Sequence, residues 1–254
     1  MLMMPGSISL HTILLFSFTL WMNIVPAQVF PARWECSVSG GLFVYQGDLA
    51  PNIWGSLKTV KPGFGFYFGR NISPKYAIGL VANFANLKGD ETKYDNPDYR
   101  QYRAFKFTSP LSEVYLKGVL NLEPYSTYTL KWKPHVFLGI GMVFLDTKRD
   151  YSSFQPAVFG QGSAAVDGLA IDTTVSGNRD QLVVPIGIGV RRFISEDVSI
   201  IIEGSYRITD TDYIDGYSES ANPDLNDHYL VLTVGFAYKF GRKSKYSCPV
   251  VINY

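Results

Sequence analysis

Apolar and polar residues alternate along the chain in segments of about ten residues, the pattern of β-strands that bury one face. In the clearest segment, from His228 to Phe240, one face is entirely apolar or aromatic: Leu230, Leu232, Val234, Phe236, Tyr238 and Phe240. The opposite face is small or polar: Val231, Thr233, Gly235, Ala237 and Lys239. Eight segments of this kind are predicted to be strands: 36–46, 62–71, 76–87, 111–122, 135–146, 181–193, 198–209 and 228–240.

The connections between these predicted strands alternate in length. Three contain about 4, 12 and 4 residues, and the four that separate them contain about 15, 23, 34 and 18. Outer-membrane barrels have an even number of strands, short periplasmic turns and long external loops. We therefore predict an all-β fold, an eight-stranded antiparallel transmembrane β-barrel with both chain ends in the periplasm. A soluble β-sandwich would also alternate, but its outward face would be polar.

The first 27 residues differ from the rest because they contain no Lys, Arg, Asp or Glu. The apolar run 13–25 has the length of a signal-peptide core, and Val25-Pro26-Ala27 is suited to cleavage. A buried helix or an uncleaved anchor is the alternative, although the run is too short to span a bilayer. We predict a signal peptide over 1–27, an outer-membrane barrel over 28–241 and a periplasmic C-terminal tail over 242–254.

Composition narrows the function classes. Hydrophobic residues make up 46% of the chain and charged residues 18%, which excludes a disordered protein. The net charge of +1 gives no electrostatic basis for binding nucleic acid. We expect outer-membrane lipid as a partner and no cofactor.

Charged residues fall on the predicted inward faces of several strands: Glu113, Lys117, Arg191, Glu203, Arg207 and Lys239. Eight strands enclose a lumen only wide enough for side chains. Because both charge signs are present, these groups can pair in an interior charge network. An ion-conducting channel is the alternative, but the strand number favours a filled, structural interior.

Two further groups of residues could carry chemistry. Asp227 precedes His228 at the rim, and such a pair can activate water, but neither His228 nor His135 has a Ser within two residues. We therefore predict that the protein is not an enzyme. Asp210, Asp212 and Asp215 could supply oxygen ligands to a weakly bound Ca²⁺ ion, although a solvated acidic loop is the favoured interpretation and no firm metal site is predicted.

The two cysteines, Cys36 and Cys248, flank the barrel. In a closed barrel both lie on the periplasmic side, an oxidising compartment. They are predicted to form a disulfide with each other or to pair with another protein.

Seven short motifs resemble one family of small outer-membrane β-barrels from Bacteroidota. They are Tyr45–Leu49, Gly89-Asp90, Phe107–Glu113, Pro134–Gly141, Pro185–Gly189, Thr211–Asp215 and Cys248-Pro249. The family is similar in architecture to the OmpA-type transmembrane domain and includes PorG, a barrel of the type IX secretion system. This resemblance implies a non-catalytic role in docking periplasmic ring or lipoprotein components to the outer membrane. The alternative is a general structural or adhesion barrel that acts through its external loops, with a small pore or a barrel hydrolase ranked below both.

Overall fold

The computed structural model describes residues 33–123 and 132–241. Its strands are β1 (Arg33–Gln46), β2 (Lys61–Asn71), β3 (Tyr76–Asp90), β4 (Lys106–Asn121), β5 (Trp132–Asp146), β6 (Lys148–Asp150), β7 (Asn178–Phe193), β8 (Val198–Thr209) and β9 (His228–Phe240). Three short helices lie in the loops: α1 (Tyr99–Arg103), α2 (Pro156–Phe159) and α3 (Ala164–Asp172). None of the described helices has both the length and the apolar character that crossing a membrane requires.

Eight of the strands close into an antiparallel barrel, as predicted. Each pairs with the next around the ring in the order β1, β2, β3, β4, β5, β7, β8 and β9, and β9 returns to β1. The ninth strand, β6, was not predicted; it pairs with the start of β4 above the barrel. β3 and β4 also extend beyond their predicted ends, because Asp90 pairs with Lys106 at the top of that hairpin.

The two ends of the barrel differ. The turn end carries the connections 72–75 and 194–197, the first residues of β1 and the last residues of β9. The loop end carries four long connections, 47–60, 91–105, 147–177 and 210–227, which we call the first to fourth loops. By the general arrangement of such barrels, the turn end is periplasmic and the loop end external.

The outer wall is a continuous apolar surface. Its exposed residues include Val38, Leu42, Phe66, Leu80, Leu116, Leu138, Ile188, Leu232 and Val234. At the turn end aromatic rings gather, and Trp34 stacks on Phe68 with ring centroids 5.1 Å apart. Apolar surface of this extent is favourable only against lipid, so the strands span a membrane and the protein is an outer-membrane β-barrel.

Below the four loops, the loop end of the barrel holds the hydrophobic core. Phe43, Tyr45 and Phe107 point inward from the strands and are almost completely buried. Phe105 of the second loop and Tyr217 of the fourth loop extend into the mouth of the barrel. Their rings stack, with centroids 4.4 Å apart. The core therefore joins the barrel interior to its loops.

The predicted signal peptide (1–27), the predicted tail (242–254) and Cys248 lie outside the described residues. These parts of the domain organisation stay predictions.

Candidate functional site

The lumen near the turn end is occupied by a buried ion pair. Arg191 of β7 donates two hydrogen bonds, of 2.6 and 2.7 Å, to the carboxylate of Glu35 on β1. The ammonium group of Lys239 lies 3.8 Å from the same carboxylate. Two cations around one buried carboxylate satisfy its oxygens and hold three strands together across the lumen.

A second ionic group lies in the middle of the lumen. Lys117 of β4 contacts both oxygens of Glu203 on β8 at 2.6 Å. The Nε2 atom of His135 on β5 lies 2.9 Å from the same carboxylate. A Cβ atom at Gly189 would come within 2.5 Å of this imidazole nitrogen, so glycine there leaves room for the His135 ring.

A third group lies below the hydrophobic core. Arg207 of β8 donates to both oxygens of Glu113 on β4, at 3.2 and 3.3 Å. The same carboxylate accepts hydrogen bonds from Asn83 at 2.7 Å and from the hydroxyl of Tyr229. Four strands thus contribute to one buried network, as a buried carboxylate requires.

The structure places all six charged residues of the predicted interior network in the lumen, in these three groups. The groups also contain four residues that the sequence analysis did not predict: Glu35, His135, Asn83 and Tyr229. Glu35 continues the inward alternation of Ser37 and Ser39, so starting the first strand one residue earlier would have included it. Between the groups lies a polar cavity of about 50 Å³, which has room for a few water molecules but is far too small for a channel.

At the loop end, the four loops are bonded to one another and form a folded cap over the barrel. Arg100 in α1 donates to the main-chain oxygens of residues 48, 49 and 50 in the first loop, at 2.9 to 3.2 Å. Asp172 at the end of α3 accepts hydrogen bonds from the backbone nitrogens of Glu219 and Ser220 in the fourth loop, at 3.1 and 3.0 Å. Arg103 of the second loop also donates to the main-chain oxygen of Ser220 in the fourth loop at 3.4 Å, so these bonds link all four loops into one structure.

A buried ion pair anchors the second loop within the cap. Glu91 is fully buried and accepts hydrogen bonds from Arg103, at 2.6 Å from Nη2 and 3.0 Å from Nε. It also accepts the backbone N–H of Phe105 at 3.2 Å. The pair lies directly above the core, where Phe105 enters the barrel.

Two carboxyl groups, Asp215 and Asp227, meet at the centre of the cap and are fully buried. The hydroxyl of Tyr45 lies 2.6 Å from an oxygen of each. A hydroxyl has one hydrogen and donates it to one acceptor, so the other short contact requires a proton on a carboxyl group. Burial, together with the neighbouring carboxyl groups, raises the pKa of both Asp215 and Asp227 well above the ordinary value.

The prediction that the acidic fourth loop is solvated is wrong for Asp215 and Asp227. Both are buried, because the fourth loop folds into the mouth of the barrel. The hypothesis of a Ca²⁺ site is not supported either. Asp215 turns inward to Tyr45, Asp212 is 8% exposed and Asp210 lies on the surface. No three His, Cys, Asp or Glu side chains within 33–123 and 132–241 are grouped so that they could hold a metal ion. Burial, together with the nearby carboxylates, raises the pKa of Asp212 to about 7.

The adjacent residues Asp227 and His228 do not form a dyad. The Asp227 carboxylate accepts the backbone N–H of Ile214 at 2.9 Å, in addition to its contact with Tyr45. The His228 ring packs on Tyr206 on the outer wall, with centroids 5.3 Å apart, and its Nδ1 lies 3.4 Å from the backbone nitrogen of Thr209. The Asp227 side chain therefore lies inside the cap, and the His228 side chain lies on the outer wall.

Cys36 lies on the outer wall near the turn end, where its side chain is exposed. It stands in register with Phe68 on β2 and Tyr238 on β9. Its pairing with Cys248 or with another protein stays a prediction, because Cys248 is not among the described residues.

With the barrel, its plugged lumen and its cap defined, comparison with known proteins places the chain in a family. A model of a domain of unknown function, DUF6089, matches residues 11–249. The chain belongs to the DUF6089 family. No curated protein sequence matches this DUF6089 protein.

Solved structures similar to this DUF6089 protein are small outer-membrane barrels. Ail, the attachment invasion locus protein of Yersinia pestis, has 12% identity, a TM-score of 0.44 and coverage of 83% of this chain and 100% of Ail. Neisserial surface protein A has 13% identity, a TM-score of 0.42 and coverage of 83% and 100%. A major outer membrane protein of Thermus thermophilus has 12% identity, a TM-score of 0.46 and coverage of 82% and 99%.

Proposed function

We propose that this protein is a non-catalytic barrel that, like PorG, docks periplasmic components of a type IX secretion apparatus to the outer membrane. The observation that carries the proposal is the filled lumen. Three ionic groups and the hydrophobic core occupy the interior from Glu35 at the turn end to Phe105 at the loop end. A barrel without a conduit acts through its two ends, and the turn end faces the periplasm.

The composition of the turn end supports docking there. Its exposed rim is charged, with Arg70, Lys75 and Arg192 beside Glu123 and Glu196. The rim of a protein–protein interface is polar and accessible to solvent, so these residues are compatible with the edge of a docking surface. The predicted tail follows β9 in sequence, and three of its first four residues are basic: Arg242, Lys243 and Lys245.

Site-specific photo-crosslinking in the native envelope tests the proposal. A cross-linker at positions within 242–254, or at Lys75, should capture a periplasmic ring or lipoprotein component. A cross-linker at Tyr102 in the cap is the matched control and should not. Deleting 242–254 should stop export of secretion substrates while the barrel still shows the heat-dependent gel mobility of a folded outer-membrane protein. Intact export after that deletion would contradict the proposal.

A second candidate is a structural or adhesion barrel that acts through its external surface. The observation that favours it is the cap, whose loops are fixed to one another by hydrogen bonds such as that from Asn222 to Asp48 at 2.7 Å. A fixed surface presents its groups to a partner at low entropic cost. Loss of adhesion or envelope integrity on shortening the third loop, with export unchanged, would favour this candidate.

A further inference from the structure

The first loop exposes an unusually apolar segment to its surroundings. Ile53 is 80% exposed, Trp54 73% and Leu57 85%. Large apolar side chains are rarely left this accessible in groups unless they meet a membrane or a partner. Their position on the barrel shows whether they contact a membrane or a partner.

The segment lies against the outer wall of the barrel, beside the strand that precedes it. Gly55 has a φ of +75°, and a Cβ atom there would come within 2.6 Å of the Cγ1 atom of Val44. Val44 shares the outward face of β1 with Leu42, which is part of the lipid-facing surface. Glycine therefore lets the first loop fold closely onto this wall, and Ile53 and Trp54 continue the surface that meets lipid.

The depth of this position matches the external membrane interface. Val44 lies ten residues after Trp34, which belongs to the aromatic residues at the turn end. Strands rise about 3.3 Å per residue and are tilted by about 40°, so these residues span about 25 Å of depth. This is the height of the apolar band of an outer-membrane barrel, about 25 Å. Trp54 is thus at the level of the lipid headgroups, where tryptophan is enriched.

Two lysines lie beside the apolar segment and are held together. The ammonium group of Lys58 donates to the main-chain oxygen of Lys93 at 2.8 Å, and that of Lys93 donates to the oxygen of Lys58 at 2.8 Å. Lys58 also lies over the ring of Tyr94, 5.6 Å from its centroid. Each ammonium has three hydrogens, so both retain donors for an anion. A phosphate group at headgroup level fits this pair in charge and in hydrogen bonding.

The loop is rigid enough to hold these groups in place. The Gln46 side chain donates to the main-chain oxygen of Ile53, and the Asn52 side chain accepts the backbone N–H of Trp54 at 2.9 Å. Ser56 caps the following turn by accepting the backbone N–H of Lys58 at 3.1 Å.

We propose that the first loop is a membrane-interface anchor: Ile53, Trp54 and Leu57 enter the outer leaflet, and Lys58 and Lys93 together bind the phosphate of an anionic lipid headgroup. The apolar residues fix the depth of the loop. The lysine pair selects lipids whose headgroup carries an accessible phosphate.

Depth is tested with the full chain reconstituted in vesicles, with Trp21, Trp34 and Trp132 changed to Phe so that Trp54 alone fluoresces. Phosphatidylcholine brominated close to the headgroup should quench Trp54 more strongly than lipid brominated near the chain ends. If aqueous acrylamide quenches Trp54 and neither brominated lipid does, the segment faces water and the proposal is overturned. That outcome would leave the surface to a protein partner.

Headgroup selection is tested by native mass spectrometry of the full chain titrated with phosphatidic acid, with phosphatidylcholine as the neutral reference. The double variant Lys58→Gln/Lys93→Gln should weaken binding of phosphatidic acid about thirtyfold and leave that of phosphatidylcholine unchanged. The matched control, Lys106→Gln/Lys148→Gln, removes two other lysines of the loop end, one half-buried and one exposed, and should have no effect. Equal binding by both double variants would overturn the lysine assignment. Competition by inorganic phosphate at the concentration of the lipid would assign the pair to a free anion and overturn the lipid proposal.

Discussion

The guanidinium of Arg191 and the carboxylate of Glu35 form two parallel hydrogen bonds across the lumen, although the residues are 156 positions apart in the chain. The pair joins β7 to β1, and these strands are separated by β8 and β9 around the ring. It therefore ties two non-adjacent strands of the closed barrel across the lumen near the periplasmic end.

Removing one partner of this pair should be costly. Glu35→Gln leaves the buried Arg191 and Lys239 without their carboxylate, and breaking a buried pair in this way costs about 3–5 kcal/mol. We expect the free energy of unfolding to fall by about that amount. It is measured by urea titration in lipid, with the folded fraction at each urea concentration read from heat-dependent gel mobility. Glu123→Gln makes the same chemical change at an exposed position of the turn end and should change stability by less than about 0.5 kcal/mol. Equal effects of the two variants would contradict the assigned role of the pair.

The cap should loosen as pH rises. The pKa of Asp212 is raised to about 7 and that of Asp48 to about 6, chiefly by burial. The folded state thus binds these protons more tightly than the unfolded state does. The stabilisation is complete below about pH 4 and is lost as pH rises through about 6 and 7. Hydrogen exchange of the first and fourth loops, corrected for the intrinsic rate, should show this loss of protection between about pH 4 and pH 7.

The variant Asp212→Asn isolates this dependence. An amide cannot ionise, so the variant should keep about tenfold more protection than the parent protein at about pH 8 and flatten the pH profile. Asp210→Asn, on the surface of the same loop, serves as the control and should follow the parent. A parent profile that gains protection toward alkaline pH would reverse the assigned sign.

Close packing around the carboxyl pair should make the cap sensitive to a larger residue at Gly47. At Gly47 a Cβ atom would lie 1.8 Å from an oxygen of Asp227 and 2.2 Å from the hydroxyl of Tyr45. Gly47→Ala should therefore cost about 1–3 kcal/mol, the usual penalty of overpacking, seen as faster exchange in the fourth loop. Gly40→Ala provides the comparison, because a Cβ atom there meets nothing within 4 Å. Unchanged exchange in Gly47→Ala would show that the network can move aside.

The lipid-facing wall should respond to charge according to depth. Val234 stands in register with Gly40 and Ile202 at mid-height of the barrel, and Val234→Lys should cost about 2–4 kcal/mol in lipid. Ile208 is also exposed to lipid but lies near the loop end, and Ile208→Lys should cost at most about 1 kcal/mol. Similar costs at both positions would contradict the placement of the membrane.

The sequence was sufficient to predict the barrel because lipid and lumen impose opposite polarity on alternate residues. In β9, for example, Leu232 and Val234 are exposed to lipid while Val231 and Lys239 are buried inside, as their spacing predicts. The inward charges were predictable for the same reason. His135 was on an inward position too, but alternation alone does not show that its partner is Glu203, which lies 68 residues away.

The cap was not predictable in this way. Asp215 and Asp227 occur among polar residues, with the local composition of a solvated loop. Their burial depends on contact with Tyr45, which lies 170 positions from Asp215 in the chain. The two residues come into contact only when the barrel is closed. Loop conformation of this kind depends on contacts between distant segments, and no period in the sequence records them.

A barrel whose lumen is plugged can act at its two ends but not through its lumen. Planar-bilayer recording with the purified full chain tests this most directly. A plugged lumen should give no steady conductance in the intact protein. A reproducible unitary conductance, abolished when the protein is unfolded, would show an open path through the lumen and contradict it.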